Sequence, residues 1–185
     1  MMVTDEERKD AIDRFVEEAV QIFPSLEPEV EAAVDRMHKI MNYLDRTTER
    51  TVKVFGLNTG EFKVLLKLRE APDQSMTAGA LADRLDLSSS AMTNRVDRLE
   101  EDGLVVRERG TEDRRSVLVR ITPKGQDVLG RAVEHQGKQE ATLLSVLTAG
   151  EQRELNALLR AMIVEIEDRG ELSWFHPAEP AQSEE

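Results

Sequence analysis

The 185-residue sequence contains no cysteine, a single tryptophan, a single tyrosine and three histidines. Without cysteine there is no disulfide framework and no thiol-based peroxide sensing, and the composition fits a reducing compartment. A zinc centre is equally poorly provided for. His38 and His135 are isolated along the chain, which leaves only carboxylates to complete a ligand set. No run of about eighteen apolar residues is present and no charged-then-apolar leader opens the sequence, so a cytoplasmic protein with no membrane contact is expected. The patterns G-x-x-x-x-G-K, H-E-x-x-H and G-x-S-x-G are all missing. The expectation is therefore no enzyme, no catalytic residue, no metal and no cofactor. No internal repeat of solenoid type is found either.

Basic charge is also in short supply, with 25 Lys and Arg against 37 Asp and Glu, a net charge of −12. The deficit is uneven. Between Thr59 and Thr122 there are eleven basic and twelve acidic residues, whereas the remainder holds 14 and 25. The central segment is thus nearly neutral, and the negative charge that would repel a nucleic acid lies mostly outside it.

That segment carries the most informative pattern, TAGALADRLDLSSSAMTNRVDRLEEDGLVVRERGTEDRRSVLVRIT from Thr77 to Thr122. Thr77 is placed to cap a short helix with Ala80, Leu81 and Leu85 on its apolar stripe. Asp86 and Leu87 make a tight turn. Ser88 then caps a second helix in which Ala91, Met92, Val96 and Leu99 repeat the stripe. The opposite face of this helix holds Ser89, Ser90, Thr93, Asn94, Arg95 and Arg98, side chains of the types that reach base edges and phosphates. Gly103 ends the helix, Leu104 to Arg109 reads as a strand, and Val117, Val119 and Ile121 form the returning strand. The turn between the strands holds Asp113, Arg114 and Arg115, where a minor-groove probe would sit. Other roles stay open for these residues. Ser88, Ser89 and Ser90 also suit helix capping, Arg95 and Arg98 can pair with Asp97, Glu101 or Asp102, and the wing arginines can serve as solubilising charge.

The succession of a capped helix, SSSAMTNRVDRLEEDGLV, a strand, EDRRSVLVRIT and PKG resembles the MarR family of bacterial transcriptional regulators, from about Asn58 to Gly125. The LEEDGLV end of the recognition helix followed by Asp113-x-Arg115 is its most specific part. The resemblance implies a mainly α fold with a small β-hairpin wing, in which a winged helix-turn-helix domain is joined to long N- and C-terminal dimerisation helices. It implies that Arg115 enters a minor groove and that Asp113 helps to hold it. Family members sense oxidants through a cysteine in some cases, a route closed here. Others bind a small aromatic or phenolic anion in a cleft between the dimer helices and the winged domain. The candidates for such a cleft are Met37, His38, Met41, Tyr43 and Arg46 with Phe62 and Leu66, although Met and Leu at helical spacing also suit an ordinary core.

The flanks read as amphipathic helices. Asp5 to Phe23 stripes Ile12, Phe15, Val16, Ala19, Val20 and Phe23, and is extra relative to shorter family members. Pro24 ends it, and Pro28 restarts a long helix to about Val54 with Val30, Val34, Met37, Ile40, Met41 and Leu44 on one side. Asn58 with Glu61 forms a capping box ahead of Phe62, Leu65, Leu66 and Leu68. Beyond the wing, a helix from Pro123 carries Val128, Leu129, Ala132 and Val133 to about Leu147. Thr148 with Glu151 caps a last helix striped by Leu155, Leu158, Leu159, Met162, Ile163 and Ile166, and Gly170 closes it. The organisation expected is N-terminal helices at 1–56, the DNA-binding domain at 57–122, C-terminal dimerisation helices at 123–170 and a loose tail at 171–185 in which Trp174 and Phe175 dock locally. More apolar face is present than one small winged domain can cover, which points to a homodimer. A two-fold dimer sets its recognition helices about one DNA turn apart, roughly 34 Å, and predicts double-stranded DNA with a palindromic operator as partner. The function expected is a repressor released by a small-molecule effector. The alternative is a winged-helix protein-interaction module without specific DNA binding.

Overall fold

The computed structural model describes residues 9–109 and 117–170. The chain divides into two compact units, Met1–Thr48 and Glu49–Glu185. In the first, α1 (Ala11–Ile22) precedes α2 (Pro28–Val54), a 27-residue helix that continues into the second unit. Asp10 caps α1, its carboxylate accepting the Ile12 and Asp13 N–H groups, while Asp13 reaches back to the Asp10 N–H. The expected start at Asp5 is thereby corrected: Asp10 is a capping residue, because Asp13 stands three positions on and completes a capping box. The stripe is also only partly covered. Ile12 and Val16 are buried against Ala32, whereas Phe15 and Phe23 are 57% and 59% exposed. Arg36 of α2 binds Asp10 Oδ2 at 3.0 Å and Asp13 Oδ1 at 2.5 Å, which ties the α1 cap to the second helix.

The second unit contains the winged domain. Its helices are α3 (Thr59–Glu70), α4 (Ala78–Arg84), α5 (Ser89–Glu101), α6 (Pro123–Leu144) and α7 (Ala149–Asp168), and its strands are β1 (Ser75–Thr77), β2 (Val105–Arg109) and β3 (Val117–Ile121). The sheet is antiparallel in the order β1-β3-β2, with Met76 opposite Val119 and Val105 opposite Ile121. The sequence pattern predicts two strands, and among the described residues there are three. β1 is three residues long, too short for alternation to register, and exists because the outer edge of β3 accepts it. It follows a 3-10 turn at Pro72–Gln74 in which Asp73 and Gln74 both take φ 53°.

One core joins these elements. Leu65 and Leu68 of α3, Leu81 of α4, Met92, Val96 and Leu99 of α5, and Val105 and Val119 of the sheet are all fully buried. Each such side chain contributes about 1.5–3 kcal/mol of transfer free energy. The capping boxes at Asn58/Glu61 and Thr148/Glu151 form as the sequence pattern predicts. α6 ends at Leu144 rather than near Leu147, because Ser145 takes the C-cap and Thr148 opens the next helix. Along α6, Leu129 and Ala132 are buried and Val133 is 44% exposed. None of the residues of α7 is buried.

Candidate nucleic-acid interface

The helix-turn-helix is assembled by local hydrogen bonds. Thr77 Oγ1 accepts the Ala80 N–H at 3.2 Å and Ser88 Oγ accepts the Ala91 N–H at 3.3 Å, so each helix begins on a capped turn. Asp86 adopts φ 50° in the connection, a left-handed conformation that aspartate tolerates better than most residues. With Met92, Val96 and Leu99 turned into the core, α5 presents Ser89, Ser90, Thr93, Asn94 and Arg98 to solvent. Ser88 is exposed beside Ser90, their hydroxyls 3.1 Å apart. Thr93 donates its hydroxyl to the Ser89 carbonyl at 2.9 Å, which leaves its oxygen lone pairs outward.

The two arginines of α5 behave differently from the small polar residues. Arg95 is half-buried on the flank that borders α3. Arg98 has a side chain 69% exposed, and its Nη1 stands 4.0 Å from Glu61 Oε1. Glu61 itself is buried, its other oxygen accepting the Asn58 N–H at 2.8 Å. An open hollow of about 500 Å³ lies alongside, lined by Lys53, Asn58, Glu61, Arg98, Glu101 and Asp102 among others. The acidic neighbours anticipated for Arg98 thus include Glu101 and Asp102 at the rim, but the carboxylate that faces it is Glu61. The capping-box spacing identified Glu61 for its backbone role, and nothing in that spacing signals the second one.

Arg107 is a residue that the sequence reading passed over. On β2, its guanidinium binds both Asp97 and Glu100 of α5, and its N–H donates to Glu100 Oε1 at 3.1 Å. Burial works against the charge, yet the hydrogen bonds to Asp97 and Glu100 outweigh it and hold the guanidinium above its ordinary pKa. Asp97 is thereby engaged with the strand and not with the α5 arginines.

The wing is built from β2 and β3, and the turn residues Asp113, Arg114 and Arg115 lie outside the described residues. Of the candidate ligand residues, Met37, His38, Met41, Tyr43 and Arg46 lie on α2 in the first unit, with Met41 56% and Tyr43 47% exposed. Phe62 and Leu66 lie on α3 in the second unit. Phe62 is a core residue there and Leu66 packs against that core. Among the described residues, no cluster of His, Asp and Glu is arranged to hold a metal, and no helix is long and apolar enough to cross a membrane.

A capped helix pair, a polar outward helix face and an adjoining three-stranded sheet that carries the wing define a winged helix-turn-helix transcriptional regulator. The chain belongs to the MarR family. The MarR family model matches residues 57–117. The chain is 30% identical over 138 residues to the HTH-type transcriptional regulator PecS of Dickeya dadantii (strain 3937), covering 74% of this chain and 82% of that protein. It is 35% identical over 71 residues to the HTH-type transcriptional repressor YetL of Bacillus subtilis (strain 168), covering 38% and 42%. Its fold matches that of a MarR family transcriptional regulator from Streptomyces coelicolor, solved in complex with DNA, with TM-score 0.62 and 24% identity over 77% of this chain and 89% of that one.

Proposed function

We propose that the protein is a homodimeric repressor that binds a palindromic operator through α5 and its wing and is released by a small anionic ligand. The observation that carries this reading is the outward face of α5: Ser89, Ser90, Thr93, Asn94 and Arg98 are all exposed above a core-locked stripe. Ser88, Ser89, Ser90, Thr93, Asn94, Arg95 and Arg98 enter the major groove region, and Asp113, Arg114 and Arg115 of the wing reach the neighbouring minor groove. Repression is supported by the likeness to YetL, and DNA as the partner by the regulator from Streptomyces coelicolor. In this reading residues 57–122 form the DNA-binding part, and the helices at 1–56 and 123–170 hold the dimer. The candidate effector contacts are Met37, His38, Met41, Tyr43 and Arg46 of α2, with Phe62 and Leu66 of α3, the latter two belonging to the core of the second unit.

The test is selection of genomic fragments by the purified protein, followed by fluorescence anisotropy at two salt concentrations. An enriched palindrome whose binding is lost in Arg115→Glu, with the dimer intact, is the expected result. Parent-like binding by both Arg115→Glu and Arg95→Ala would remove the groove-reading model. Titrating phenolic acids, urate and related anions into the complex then reads the ligand. The net charge of −12 favours one competing reading, a winged module for protein contacts. Weak binding without an enriched site, vanishing as salt rises, decides for it.

A further inference from the structure

Arg95 leaves the outward face of α5 and lies on the first turn of α3. A Cβ built on Gly60 would stand 2.7 Å from Arg95 Cζ, 2.8 Å from Nε and 3.0 Å from Nη1. Real side chains do not approach so closely, so the guanidinium occupies the space that any other residue at 60 would fill. The backbone at this position does not call for glycine. Among the described residues the positive-φ glycines are Gly56, Gly103 and Gly170, and Gly60 sits within the first turn of α3. Glycine is disfavoured in a helix relative to alanine, so a glycine there with ordinary helical geometry is accounted for by what rests against it.

We propose that Gly60 is a positioning residue for operator recognition, which seats the Arg95 guanidinium against α3 and presents it to DNA already ordered. The proposal rests on the reading of α5 as the helix that meets the groove. A free arginine surrenders much rotamer freedom when it docks, and a side chain held beforehand has already surrendered it. The seat also confines the guanidinium to the α3 flank of α5, and so limits which phosphate or base edge it can meet. Arg98 shares the arrangement through Glu61, which follows Gly60 directly.

The experiment is a double-mutant cycle in the full chain, comparing Gly60→Ala, Arg95→Ala and the double variant. Anisotropy is read on the enriched operator and on an unrelated duplex of equal length. The atoms that would clash belong to the free end of a flexible side chain, and alanine favours helix, so Gly60→Ala should melt no lower than the parent. It should weaken operator binding about three- to tenfold by freeing Arg95, narrow the gap to the unrelated duplex, and add nothing to Arg95→Ala. A Gly60→Ala protein that binds as tightly as the parent while Arg95→Ala is weakened overturns the seat. So does an equal loss on adding Gly60→Ala to Arg95→Ala, or a lowered melting temperature. Parent-like binding by Arg95→Ala instead overturns the assignment of Arg95 to DNA, and the absence of any enriched fragment overturns the groove reading itself.

Discussion

Glu100 meets Arg107 twice, accepting its backbone N–H at 3.1 Å through one carboxylate oxygen and its guanidinium through the other. Strand β2 is therefore fastened to α5, and the second arm of the same guanidinium extends the tie to Asp97. The side chain of Arg107 is 29% exposed, so the pairing is only partly screened. Replacing it by alanine strands two carboxylates on α5 itself, the helix proposed to meet DNA. Arg107→Ala should cost about 1–2 kcal/mol in urea unfolding with an unchanged m value. It should also weaken DNA binding more at low salt than at high, since the uncovered charges repel phosphate. Equal loss at all salt concentrations would mean that Arg107 acts only through the fold.

Gly125 makes the opposite prediction from Gly60. A Cβ there would lie 2.1 Å from the Leu104 carbonyl oxygen and 2.9 Å from Ile121 Cγ1. The carbonyl cannot swing away freely, because it accepts the Thr122 N–H at 3.0 Å and lies 3.2 Å from the Thr122 hydroxyl. Gly125→Ala should then lose about 2–3 kcal/mol or more, a fall in Tm of roughly 5 °C or more by calorimetry. A melt unchanged from the parent would show that α6 can shift away from Leu104 and Ile121, contrary to this packing.

What could be read from the sequence, and what could not, divides by the range of the interaction. The caps at Thr77, Ser88 and Asn58 are three-residue patterns, and the buried stripe of α5 is a periodicity, so both are legible in the sequence. Three features are not. β1 depends on a free edge of β3 more than forty residues away. The partners of Arg107 lie seven and ten residues back across a turn, at no helical or strand spacing. Arg95 shared the polar side of α5 with Arg98 on paper, yet its position beside the core sends it to Gly60, thirty-five residues earlier. The family resemblance pointed to a wing and a dimer but to none of these contacts.

Asp10 and Arg36 give a pH-dependent prediction in the first unit. The hydrogen bond from Arg36, aided by those from the Asp13 and Ile12 backbone, lowers the Asp10 pKa from 3.8 to about 2. A carboxyl depressed by folding adds stability that is fully present above its unfolded value and is lost as pH falls through its folded value. Protection factors for α1 amides should thus be flat above about pH 4 and decline between about 4 and about 2. In Arg36→Ala the Asp10 carboxyl should titrate at higher pH than in the parent by NMR, with the backbone hydrogen bonds of the cap still lowering it, and the decline should become smaller and end at higher pH. An Asp10 titration unmoved by the substitution would sever the link between the α1 cap and α2.

The open face of α7 yields the sharpest test of the assembly. Leu158, Leu159, Met162 and Ile163 are 61%, 41%, 45% and 46% exposed, and they recur at the three- and four-residue spacing that forms one continuous stripe. A helix of 20 residues with no buried side chain has little tertiary packing within the subunit, and packing of an amphipathic face is what sustains most helices in proteins. In a two-fold dimer, each substitution acts in both subunits. Leu159→Glu with Ile163→Glu then removes four apolar side chains from an interface and inserts four charges. With less than half of each side chain left for a partner to bury, and about 1.5–3 kcal/mol for a complete burial, the loss is about 2–5 kcal/mol before the cost of the buried charges, roughly two to four decades in dimer dissociation constant. Sedimentation equilibrium at micromolar concentration should show the parent as a dimer and the double variant as a monomer. Operator affinity should collapse with it, because a single recognition helix meets one half-site and forfeits the effective concentration of the second. A double variant that stays dimeric and still binds the operator places the interface elsewhere, and leaves the stripe of α7 to another partner.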